Sequence, residues 1–100
     1  MRDHDSGDTP LIVATRLGHA AIVRLLLENR AELDITNDAG LTALALAADK
    51  GNEEIVRLLL TNGANPNITR NDGHTALTLA ALSGHEAIVR LLLEHAKRDP

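Results

Sequence analysis

Ile22-Val23-Arg24-Leu25-Leu26-Leu27 returns unchanged as Ile55-Val56-Arg57-Leu58-Leu59-Leu60 and again as Ile88-Val89-Arg90-Leu91-Leu92-Leu93, 33 residues apart each time. The same interval separates Gly7, Gly40 and Gly73, and Thr9, Thr42 and Thr75. It also separates Leu11, Leu44 and Leu77, then Ala14, Ala47 and Ala80, then Gly18, Gly51 and Gly84. No insertion or deletion interrupts the register. A fixed period of this length marks a stack of supersecondary units. The chain therefore reads as one domain, residues 1–100, of about three units at roughly 4–36, 37–69 and 70–100.

Each unit reads as two short helices. Thr9, Thr42 and Thr75 are N-cap candidates, because a Thr oxygen can accept an orphan backbone N–H of the first turn. Pro10 follows at the first helical position, where its missing N–H costs nothing. Gly18, Gly51 and Gly84 suit left-handed C-caps. The second helix is apolar over most of its circumference, with a polar stripe such as Glu86–Arg90–Glu94 and Glu53–Arg57 at i,i+4 spacing. Such a helix must be covered on several sides. Neighbouring units of a stack supply that cover. The fold class expected is all-α.

The composition narrows the function. There is no Phe, Trp, Tyr or Cys among the 100 residues, so the core is confined to Leu, Ile, Val and Ala. Absence of Cys removes disulfides, thiolate metal sites and a Cys nucleophile together. A net charge of −4 argues against a nucleic-acid partner, which is normally met by a basic face. No apolar run approaches the length of about 20 residues that spans a bilayer. The charged opening Met1-Arg2-Asp3-His4-Asp5 does not look like a signal peptide. A soluble intracellular protein, cytoplasmic by default, is expected, without membrane or nucleic-acid partners.

The period, the G-x-T-x-L run, the mid-unit Gly18-His19, Gly51-Asn52 and Gly84-His85 pairs, the I-V-x-L-L segment and Asn62-Gly63-Ala64 together resemble the ankyrin repeat. The resemblance runs from about Gly7 to Lys97. It implies antiparallel helix pairs joined by projecting turns and stacked into a slightly curved solenoid. The family's T-P-L-H tetrapeptide stands here as Thr9-Pro10-Leu11-Ile12, Thr42-Ala43-Leu44-Ala45 and Thr75-Ala76-Leu77-Thr78, all without the His that links neighbouring turns. Only Gly63 keeps the glycine after the second helix; Arg30 and Ala96 replace it. A non-Gly residue held in left-handed conformation costs about 1 kcal/mol.

No catalytic constellation emerges, and the chain reads as a non-enzyme needing no cofactor. The glycines lack phosphate-loop or dinucleotide spacing. Asp3-His4-Asp5-Ser6-Gly7-Asp8 misplaces the ligands of a calcium loop. His85-Glu86 does not continue to a zincin His, and His19 and His85 occupy a structural position of the repeat. Ser83 beside His85 has no third partner. Asn67-Ile68-Thr69 is a glycosylation sequon, expected to be silent without a secretory signal.

The resemblance implies a protein partner docked on a concave side formed by turn tips and first helices. Carried over by position, the tips are Asp5, Ser6 and Asp8, then Asp38, Ala39 and Leu41, then Asn71, Asp72 and His74. The first helices contribute Arg16 and Leu17, Asp49 and Lys50, and Leu82 and Ser83. These positions differ among units while the packing positions do not. Five Asp against Arg16 and Lys50 favour a mildly basic partner surface. Two alternatives stand beside this reading: a self-assembling structural array, and an engineered or reconstructed scaffold without a natural partner. Neither end carries the polar outer face of a capping unit. Leu11, Ile12, Val13 and Leu17 crowd the first helix, and Ile88 through Leu93 repeat the internal segment. Either the chain is a piece of a longer array, or its ends are covered by another chain in a homo-oligomer: two C-terminal units about a two-fold axis with Leu92 at the contact, or head-to-tail stacking.

Overall fold

The computed structural model describes residues 7–98, with side-chain surroundings as far as Lys97. Six helices follow in order: α1 (Pro10–Leu17), α2 (Ala20–Glu28), α3 (Ala43–Lys50), α4 (Glu53–Thr61), α5 (Ala76–Leu82) and α6 (Glu86–Arg98). The caps account for where the first helix of each pair begins. Thr9, Thr42 and Thr75 accept from the backbone N–H of Ile12, Ala45 and Thr78, satisfying one orphan donor each. Thr75 and Thr78 also share a hydroxyl hydrogen bond of 3.2 Å. Left-handed Gly18 and Gly51 stop α1 and α3, and Gly84 is left-handed as well, at φ 76°, just beyond the αR Ser83 where α5 ends.

The ends of the second helices follow residue type. Gly63 adopts φ 94° after α4, and Arg30 is forced to φ 63° after α2, the one non-glycine positive φ among the described residues. Ala96 takes no such turn. The helix continues through it, so α6 reaches 13 residues against 9 in α2 and α4.

The pairs stack in register. α3 packs between α1 and α5, and α4 between α2 and α6, while each first helix lies against its own second helix. Every residue from Ala43 to Ala48 is buried. Ala14, Ala47 and Ala80 form a column of small buried residues that lets the first helices approach closely.

Burial sorts the repeated segment into a backward and a forward face. Ile55 and Ile88 are covered by the unit before them, whereas Ile22, with no unit before it among the described residues, is 46% exposed. Leu27 and Leu60 are covered by the unit after them, and Leu93, which has none, is 46% exposed. The last helix is therefore open in part, as expected, but not at the expected residue: Leu92 is buried, so it cannot be the contact of a two-fold dimer, and Leu93 is the exposed member.

Candidate protein-binding face

Two projecting turns have the same backbone. In residues 37–41 the Asn37 N–H donates to the Leu41 carbonyl and the Gly40 N–H to Asn37; in residues 70–74 Arg70 donates to His74 and Gly73 to Arg70. The turns are tied together. The Asn71 backbone N–H donates to Ala39 O at 2.9 Å, and its side chain donates to Asp38 O at 2.8 Å. A Cβ on Gly40 would lie 2.5 Å from Asn71 Oδ1, so only glycine admits this contact.

The side chains that brace the turns differ. Asn37 is buried, accepts from the Ala39 and Leu41 N–H groups at 3.0 Å each, and donates to Asp8 at 2.9 Å. Asp8 is buried in turn and binds the Arg16 guanidinium through Nε at 3.0 Å and Nη2 at 2.9 Å. Arg70 stands where Asn37 does one period earlier, and instead binds Asp72 through two nitrogens, at 3.0 and 2.6 Å. Those bonds from Arg70, joined by the His74 backbone N–H, hold the Asp72 carboxyl at about 2, below its ordinary 3.8. The same hydrogen bonding raises the Arg70 guanidinium, with Asp49 contributing.

At the ends of the first helices, Ser83 Oγ donates to Asp49 Oδ1 at 3.0 Å, and the His85 ring bonds the Asp49 carbonyl at 3.1 Å. The ring lies on Gly51, where a Cβ would come within 2.6 Å of it.

The expected binding residues thus divide. Asp5 and Ser6 lie outside the described residues. Asp8 and Leu41 are corrections: both are buried, Asp8 beneath its ion pair and Leu41 in the core, so neither presents a side chain outward. Asp38, Ala39, Asn71 and Asp72 are exposed on adjoining tips, with His74 half-buried beside them. Asp49 is half-buried, and Arg16, Lys50 and Ser83 are exposed at the helix ends. Leu17 and Leu82 are exposed at opposite ends of the stack rather than brought together. Sequence reasoning omitted Arg70 and Asn37, although Arg70-x-Asp72 at two-residue spacing was a readable signal for a braced turn.

A groove of about 980 Å³ lies elsewhere, between α4, α6 and the loop at Asn65–Asn67, and no expected binding residue lines it. Among the described residues, no group of three or more His, Cys, Asp or Glu is placed to hold a metal ion. No described helix is long and apolar enough to cross a membrane.

No curated protein matches the chain. A family model described as ankyrin repeats, three copies, matches residues 1–70 and 31–100. Together these spans cover the whole chain, which belongs to the ankyrin-repeat family, a family whose members are generally protein-interaction modules.

Proposed function

We propose that this chain is a non-enzymatic protein-binding module, one domain of units 4–36, 37–69 and 70–100, working without a cofactor in the cytoplasm. Its docking surface is formed by the tips around Asp38–Ala39 and Asn71–His74 and by the first-helix ends at Arg16, Asp49, Lys50 and Ser83. The observation that carries the reading is the cross-bracing of the turns. Asn71 reaches both Asp38 and Ala39, so exposed side chains from two units are held in one fixed arrangement before any partner arrives. Preorganisation of this kind lowers the ordering cost of binding.

Charge bookkeeping supports a mildly basic protein surface as the partner. The described part of the face carries Asp8, Asp38, Asp49 and Asp72 against Arg16, Lys50 and Arg70, with Asp8 paired to Arg16 and Asp72 to Arg70. These charges are expected to orient the partner and speed its association, and through the rate to tighten binding. Nucleic acid and membrane surfaces, both anionic, are disfavoured by the same balance.

The test starts from binders selected against the wild-type chain by display. Simultaneous Asp38→Ala, Asp49→Ala and Lys50→Ala should weaken those that recognise this face by at least tenfold, or about 1.4 kcal/mol, with helical circular dichroism unchanged. Titration calorimetry measures it. Unchanged affinity across the selected binders refutes the assignment of the face.

A further inference from the structure

Five of the six large apolar side chains exposed among the described residues stand on the two ends of the stack. Leu17, Ile22 and Leu25 lie on the backward face of the first unit, at 61%, 46% and 58% exposure. Leu82 and Leu93 lie on the forward face of the last, at 68% and 46%. Their equivalents one period inward show what each position meets when covered. Ser83, one unit's equivalent of Leu17, reaches back to Asp49, the equivalent of Leu82. Inside the array that contact is a hydrogen bond. Between the two free ends it would be Leu17 against Leu82, the two most exposed large apolar residues, matched to each other.

A second position matches as well. His85 seats its ring on Gly51 and bonds the carbonyl of Asp49. His19, its equivalent, is exposed and makes no side-chain capping bond. Gly84, the equivalent of Gly51, has nothing within 4 Å of where a Cβ would stand. One end offers the ring without its seat, the other the seat without its ring. Where Arg24 faces Glu54 at 3.8 Å inside the array, Arg90 would face Ala21, so the junction does without that ion pair.

We infer that the chain stacks head to tail on a second copy of itself, continuing across the junction the interface that already joins its own units. Leu17, Ile22 and Leu25 of one copy cover Leu82 and Leu93 of the next, and His19 enters the seat at Gly84. The contact is heterologous, so each dimer keeps one free face of either kind and growth continues with concentration. This inference is independent of the turn-tip face and of any partner bound there.

Sedimentation equilibrium of the 100-residue chain, from micromolar to millimolar, tests it. The mass should climb from the 10.7 kDa of one chain to at least twice that. Leu17→Glu with Ile22→Glu spoils one face, and Leu82→Glu with Leu93→Glu the other. All four positions are exposed, and circular dichroism verifies the fold of each variant. Each variant alone should remain at the single-chain mass, while an equimolar mixture, retaining one good face from each partner, should stop at twice that mass. A wild-type chain that stays monomeric at millimolar concentration overturns the inference. So does either variant associating alone, which would mean a two-fold contact, or a mixture that fails to pair.

Discussion

At the scale of single residues, variation between units proved an ambiguous signal. The position held by Asp8, Leu41 and His74 differs in every unit, which suggested solvent exposure. Instead Asp8 is buried by Arg16 and Asn37, Leu41 by the core, and His74 is half-covered. A site varies equally well when each unit solves its packing differently, and sequence comparison cannot separate that from exposure. Thr15 shows the same effect inside the core. Its equivalents are Ala48 and Ala81, and its Oγ1 is buried without a hydrogen-bond partner. Leaving a hydroxyl unsatisfied is costly. Thr15→Val, which keeps the shape and removes the hydroxyl, should therefore raise unfolding stability by about 1 kcal/mol, read from urea denaturation; a loss would show that the hydroxyl is satisfied after all. Asp72 makes a pH-dependent case. Its folded value, about 2, lies below the ordinary 3.8 because Arg70 and the His74 N–H bind the ionised form. The stabilisation is thus complete above the ordinary value and disappears as pH falls through about 2. A carboxyl carbon titration by NMR should place the Asp72 midpoint there, and Arg70→Gln should return it towards 3.8; an ordinary midpoint in the parent would mean that the turn brace is absent.

At the scale of elements, local chemistry was legible because each signal acts within a few residues. The Thr N-caps, Pro10 and the stops at Gly18 and Gly51 needed no knowledge of the neighbours. The length of α6 was readable in principle from Ala96, yet a missing stop does not say how far a helix runs on. Which apolar residues of the repeated segment are covered was not legible from one unit, since Ile22 and Ile55 open the same six-residue segment but are opposite in exposure. The cover comes from the adjacent pair, a tertiary fact. Truncation should follow cover rather than residue type. Leu59→Ala in α4 removes a fully buried side chain and should cost about 2–5 kcal/mol. Leu93→Ala in α6, nearly half exposed, should cost less than about 1 kcal/mol in dilute solution. Comparable losses in chemical denaturation would mean that Leu93 is covered in the isolated chain.

At the scale of the whole molecule, the stacked all-α architecture was legible from the period alone, since a 33-residue unit with two apolar-faced helices has few ways to bury itself. Its exposed ends were anticipated too, but not which residues would make them. That required knowing that the Leu17 and Ile22 positions look backward and the Leu82 and Leu93 positions look forward. The division follows from helical geometry acting on an aliphatic core, in which every unit offers its neighbour nearly the same surface. One consequence reaches beyond the folded chain to its gene. The helices of the two junctions meet in the same register, with no loop length to adjust, although the side chains that brace the turns differ. An in-frame duplication of one whole period would insert a unit whose helix pair already lies in register with both neighbours. Recombination can therefore lengthen or shorten such a protein in single steps without passing through a misfolded ancestor.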